Sequence, residues 1–181
     1  MPPKQKYTQE FIIEQATRII ANGEEITARA LAEKIGCSTQ PIFSQFADME
    51  MLKAAVYENA TKIYDKYVYE ASRDMPRYKS TGYGYVQFAR EKPNLFKLLF
   101  MGKTREENEN DKEKIIRIVA AATSYPYEVA EKFHVMQWIF VHGIATMIAT
   151  GYLKWDEKTV SDMISEQYFA LKEKFDKEYK K

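Results

Sequence analysis

ITARALAEKIGCSTQPIFSQF, residues 26–46, carries two short helical patterns around one glycine. Thr27 is an N-cap residue, and Ala28, Leu31, Ala32 and Ile35 fall on one face of the helix it starts. Gly36 stops that helix. Ser38 is placed to cap a second one, anchored by Ile42 and Phe46 one turn apart. The pair reads as a helix-turn-helix, provided Leu31, Ala32, Ile35, Ile42 and Phe46 share a small core with Ile19 and Ile20 of the preceding helix. Pro41 is tolerated because it falls in the first turn, where its missing N–H has no intrahelical partner.

At 100° per residue, with Ile42 and Phe46 inward, Gln40 and Ser44 point directly outward, flanked by Pro41, Phe43 and Gln45. That face is small, polar and uncharged, with an aromatic at its edge. Amide and hydroxyl groups so presented suit the major groove of DNA, where base edges are read. Two short helices around a glycine also occur in proteins with no DNA role. Charge does not favour nucleic acid: residues 1–55 hold six Lys and Arg against seven Asp and Glu. Phosphate contacts would have to come from local placement, with Thr27 and Arg29 at one helix start and Lys53 at another.

Outward from this segment the periodicity is helical almost everywhere. Thr8 caps a first helix carrying Phe11, Ile12, Ala16, Ile19 and Ile20, which ends at Asn22-Gly23. Asp48 caps a long fourth helix with Leu52, Val56, Ile63 and Tyr67 inward, fading near Asp74-Met75-Pro76. Residues 79–91 form an aromatic helix with Tyr83, Tyr85 and Phe88. Pro93 interrupts it before a brief apolar helix with Leu95, Phe96, Leu98, Leu99 and Phe100. Residues 102–111 read as a polar loop. Ile115, Ile116, Val119 and Ala122 mark another helix, and two long ones follow at about 127–153 and 157–179. The expectation is an all-α chain of about nine helices. A helix-turn-helix domain would occupy residues 1–57 (motif 27–46), and a helical domain residues 58–181.

Composition narrows the function classes. The chain has 181 residues, 45% hydrophobic and 29% charged, with a net charge of +1. That is enough apolar material for a core. Seven glycines and six prolines are few for a sandwich or barrel. The lone Cys37 excludes an intrachain disulfide, suits packing in the turn, and favours a reducing, cytoplasmic setting. With two histidines, neither a zinc site nor a Ser-His-acid set is suggested, and no cofactor is implied. Gly82-Tyr83-Gly84 lacks the strand a phosphate loop needs. Glu24-Glu25 is a turn, and Glu106, Glu107, Glu109 and Asp111 read as a solvated loop. The N-terminal MPPKQKYTQE lacks the apolar run of a secretory signal. Residues 133–153 carry no charge and are long enough to span a bilayer, but their polar residues and the mean hydropathy of −0.50 favour a buried helix.

The segment ITARALAEKIGCSTQPIFSQFADMEMLK resembles the tetracycline-repressor (TetR) family of bacterial regulators, over about residues 6–57. The order Thr27, Leu31-Ala32, Gly36, Ser38, Ile42-Phe43, Phe46 and Leu52 carries the resemblance. It implies that Thr27 and Arg29 contact phosphates, Lys53 grips the backbone, and Ser38, Thr39, Gln40, Pro41, Phe43, Ser44 and Gln45 read the groove. The chain departs from the family where Tyr-His often precedes the final Phe (here Ser44-Gln45) and where a basic residue often follows Ser (here Thr39). FAREKPNLFKLLF (88–100) and WIFVHG (138–143) resemble the ligand domain of one branch.

Trp138 and His142 lie on one helix face. His142 reads either as a buried, hydrogen-bonded structural histidine or as a residue that helps hold an effector. Gly143, costly in a helix by ~1 kcal/mol, would be justified by close helix approach. Tyr83, Phe88, Phe96, Phe100, Met101, Met136, Phe140 and Met147 suggest an apolar interior, a subset of which could line a cavity for a small hydrophobic effector. The resemblance implies no enzymatic activity, a homodimer through the last two helices, and a palindromic double-stranded DNA operator as partner. The alternative is a helical carrier or enzyme using a Trp138/His142 cavity without DNA binding.

Overall fold

The computed structural model describes residues 7–70, 74–102 and 109–180. Among them lie nine α-helices and no strand. The chain divides into two compact units, Met1–Tyr64 with Asn94–Gly102, and Asp65–Pro93 with Lys103–Lys181.

In the first unit Thr8 accepts from the Phe11 N–H (3.2 Å) and starts α1 (Gln9–Ala21). Thr27 accepts from Ala30 (3.1 Å) and starts α2 (Ala28–Ile35). Both helices end in the same way. The Cys37 N–H bonds the Ala32 carbonyl and Gly36 bonds Glu33; Glu24 and Gly23 repeat this with Ile19 and Ile20. Such double closure needs a left-handed residue, and Gly36 (φ +69°) and Gly23 (φ +82°) supply it. The next helix, α3 (Gln40–Gln45), departs from expectation. Its cap position falls on Thr39, whose helical backbone makes no side-chain cap bond, so Ser38 does not start it. Asp48 does cap α4 (Met49–Asp65), accepting from Met51 at 2.8 Å.

The core of this unit is the one the apolar spacing demands. Ile12, Ile19, Leu31, Ile42, Phe46, Leu52 and Val56 are buried together, with Ile20 and Ile35 half-buried against them. Hydrogen bonds tie the frame: Asn59 to Thr17 (2.9 Å), and the Gln9 amide to the Gln45 carbonyl at the end of α3 (3.2 Å). The later helix α6 (Pro93–Phe100) also belongs here. Its Asn94 donates to the Ala21 carbonyl (3.0 Å), and Phe100 packs edge-on to Tyr64 (5.2 Å).

The second unit opens with a π-helical turn, Lys66–Glu70, that continues α4. A π turn advances the helix phase by one residue. Val68 is therefore the buried side chain, and Tyr67 is half-buried, its hydroxyl on Glu91 (2.6 Å). Burial and that carboxylate push the Tyr67 phenol up to about 12. Then come α5 (Arg77–Glu91), α7 (Glu109–Thr123), α8 (Tyr127–Ala149) and α9 (Glu157–Tyr179). Residues 103–108, most of the expected polar loop, lie outside the described residues, as do Glu106 and Glu107. Asp156 caps α9 through Thr159 (2.7 Å). Phe133 of α8 meets Phe175 (5.2 Å, 87°) and Tyr168 (5.5 Å, 79°) of α9 edge-to-face. Tyr125 closes this end, donating to Asp176 at 2.6 Å.

Helix α8 ends at Ala149, with Gly151 (φ +76°) just beyond, rather than running to Leu153. The absence of charge along it from residue 133 onward has two causes. One face, including Phe133, Val141, Ile144 and Ala145, is core. The other face is apolar and exposed, with Val135, Trp138, Ile139 and Met147 open to solvent. Gly143 lies on this helix with nothing within 4 Å of where its Cβ would stand, so no other helix among the described residues approaches it closely. No helix among the described residues is long and apolar enough to cross a membrane.

Candidate nucleic-acid interface and ligand site

Burying Ile42 and Phe46 turns the opposite side of α3 outward. Ser38, Thr39, Gln40, Phe43 and Ser44 are exposed, and Pro41 and Gln45 are half-buried. Phe43 keeps 46% of its surface in solvent. The Ser44 hydroxyl donates back to the Pro41 carbonyl (2.7 Å), so it offers only lone pairs to an incoming group. Cys37 is half-buried in the turn, its thiol on the Ser38 carbonyl (3.0 Å), which fits a packing role.

The flanking groups sit at helix starts. Thr27 accepts from Ala30, leaving its hydroxyl hydrogen free to donate. Arg29 is exposed. Lys53 is exposed and bonded to Glu50 at 2.8 Å, and that hydrogen bond raises its pKa. A phosphate reaching Lys53 would compete with Glu50 for the ammonium, an exchange with small net cost at a surface.

The ligand candidates fall in both units. Phe96 and Phe100 belong to the first, where their rings pack together (5.1 Å). Tyr83, Phe88, Met136, Trp138, Phe140 and His142 belong to the second. There Phe88 is fully buried against Tyr67 (5.6 Å), and Met136 is exposed, as is Met101 in the first unit. Tyr83 donates to Glu157 (2.8 Å) beside Gln87, at a shallow surface depression that Arg90 and Val160 also line and that has no room for a water molecule.

Trp138 and His142 stack with ring centres 5.0 Å apart. The Trp138 indole hydrogen-bonds the Tyr85 hydroxyl, and that hydroxyl lies 2.8 Å from His142 Nδ1. An indole N–H can only donate. The Tyr85 oxygen therefore accepts from Trp138, and its own hydrogen is available to Nδ1; in that tautomer Nε2 carries the imidazole proton and faces Thr146 (3.3 Å). Burial lowers the His142 pKa and raises that of Tyr85. Both are neutral near pH 7. His142 is thus half-buried and hydrogen-bonded on both nitrogens.

The same seam repeats one turn-pair away, where Tyr78 meets His134 Nδ1 at 3.0 Å. Burial holds His134 down at about 4. Tyr78, Tyr85 and His134 were not among the candidate site residues. Their signal lay in spacing: tyrosines seven apart on α5 matched to histidines eight apart on α8. Between the pairs lies Gln137, 4% exposed, which donates to the Ile164 carbonyl (3.2 Å); its Oε1 has no partner among the described residues. No cluster of His, Cys, Asp and Glu among the described residues could hold a metal ion.

Residues 79–168 match the tetracyclin repressor-like C-terminal domain family. No curated protein matches the chain. Among solved structures, a TetR family protein from Vibrio parahaemolyticus superposes with a TM-score of 0.60 at 19% identity, covering 92% of this chain and 98% of that one. That likeness establishes the all-helical fold. Residues 79–168 thus resemble a tetracyclin repressor-like C-terminal domain, and the chain as a whole has the fold of a TetR family protein.

Proposed function

We propose that this chain is a ligand-responsive repressor, a homodimer joined through α8 and α9 that holds two copies of α3 against a palindromic operator. A small hydrophobic effector bound in the second unit releases it. The observation that carries the reading is the outward face of α3 and the turn before it: five exposed side chains of groove-reading type, flanked by Thr27 and Arg29 on one side and Lys53 on the other. Backbone phosphates set register through the flanking groups, and base edges meet the α3 side chains. Doubling in a dimer supplies the charge that a single near-neutral unit lacks.

The exposed stripe of α8 supports the dimer. Val135, Ile139, Gly143 and Met147 recur every four residues over about 18 Å of helix, all apolar and all outward. Such a patch marks a contact surface. The bare backbone at Gly143 lets a facing helix come close. The resemblance of WIFVHG to one branch's ligand domain, with the Trp138–Tyr85–His142 network, supports Trp138 and His142 as effector contacts. The effector shifts the population toward a state in which the two α3 helices no longer sit one DNA turn apart, ~34 Å. A gel-shift titration of the full chain against DNA flanking its own gene, at two salt concentrations, tests the reading. A sequence-specific complex that weakens with salt is expected, and no specific complex at low salt overturns it.

A further inference from the structure

What α3 can read is set by what it lacks. Between Lys34 and Lys53 the chain has no Lys or Arg. Guanine offers two acceptors in the major groove, O6 and N7, which a cationic side chain bridges with paired donors. Nothing on this face provides that. Gln40 is exposed and its amide carries one donor and one acceptor side by side, the complement of adenine N7 and N6. Phe43 is exposed, and Thr39 carries a methyl group, where the apolar partner in the groove is the C5-methyl of thymine. Ser44 has committed its proton to Pro41, so it can only accept, from an adenine or cytosine amino group.

Gln40 and Phe43 are three residues apart, about 4.5 Å along the helix, against a base step of about 3.4 Å. They therefore address neighbouring base pairs. We infer that each operator half-site is centred on A·T pairs, with Gln40 on an adenine and Phe43 against the methyl of a thymine beside it. This rests on the DNA-binding reading and goes beyond it by naming the bases.

The test begins with selection of bound duplexes from a random-sequence pool by the full chain. Fluorescence anisotropy on the enriched duplex then follows with single-base analogues. Uracil in place of thymine removes the methyl group, and 7-deazaadenine removes N7. At one half-site position each, uracil is expected to weaken wild type about 5-fold and 7-deazaadenine about 5- to 100-fold. Phe43→Ala should be indifferent to the uracil change, and Gln40→Ala to the deaza change. Gln40→Arg should move the selected base toward guanine. Both side chains are exposed, so matching thermal melts will show the variants folded. Enriched half-sites with G·C pairs at these positions, or analogue effects equal in wild type and variants, overturn the inference while leaving DNA binding intact. A pool from which nothing is enriched overturns the DNA-binding reading and this inference together.

Discussion

Replacing Ile139 on the outer face of α8 separates folding from association. Ile139 is 60% exposed in the single chain, so Ile139→Ala removes little buried contact and should change folding stability by less than about 0.5 kcal/mol. In the proposed dimer the exposed part becomes buried. Full burial of an isoleucine is worth about 1.5–3 kcal/mol, and three-fifths of that gives about 1–2 kcal/mol per copy. Two copies face each other across a twofold axis, so the dimer loses about 2–4 kcal/mol, a roughly 30- to 1,000-fold weaker association. Ile139→Asp should go further, since it buries a charge without a partner. Sedimentation equilibrium across a concentration series reads the association constant, and circular dichroism melts confirm that the variants fold. A dimer equally stable in wild type and Ile139→Asp would refute the assignment of this stripe to the interface. A wild-type chain monomeric at all concentrations would refute the dimer itself.

Three further outcomes follow from the geometry. Gln137→Met removes a buried amide whose Oε1 lacks a partner; relieving that desolvation offsets the lost bond to Ile164, and urea unfolding should show a change between neutral and about 1 kcal/mol stabilising. A loss above about 1 kcal/mol would mean the oxygen is satisfied in solution. Burial holds His134 at about 4 against 6.5 for the free side chain, so the unfolded chain takes up a proton first as pH falls. The stability it contributes is whole above about pH 6.5 and drains by roughly 3 kcal/mol toward pH 4; His134→Gln should flatten that slope in unfolding curves, and an unchanged slope contradicts the burial. Gly36→Ala meets no steric neighbour but keeps φ at +69°, which costs about 1 kcal/mol and lowers the melting temperature by about 2–4 °C; a melting point unchanged or raised would contradict the left-handed turn.

Where local chemistry acts alone, the residues announced the structure. Thr8, Thr27 and Asp48 each cap the helix that follows, because a short side-chain acceptor beside an orphan N–H needs no tertiary help. Ser38 fails as a cap because Thr39 already has helical backbone angles, so the turn tightens one residue later. Apolar periodicity identified the core face of α1, α2 and the first half of α4, where the other face is charged, but not Tyr67, which the π turn shifts out of phase. It could not do so in α8, where both faces are apolar and only packing separates Phe133, buried, from Ile139, exposed. Composition also could not show that Phe96 and Phe100 join the first unit, since α6 reaches it through long-range contacts such as Asn94 with Ala21. The Tyr85–His142 and Tyr78–His134 pairs span more than fifty residues. Neither helix reveals its partner until the two are side by side. The outward direction of Gln40 and Ser44, by contrast, follows from Ile42 and Phe46 alone.

The central claim is that α3 meets DNA twice, one helical turn apart. Hydroxyl-radical footprinting of the full chain on a duplex it selects measures this directly. The account predicts two protected patches related by a dyad, about 10 base pairs centre to centre or a whole multiple of that, both vanishing with Gln40→Ala/Phe43→Ala. A single patch, or protection that persists in the double variant, would contradict it.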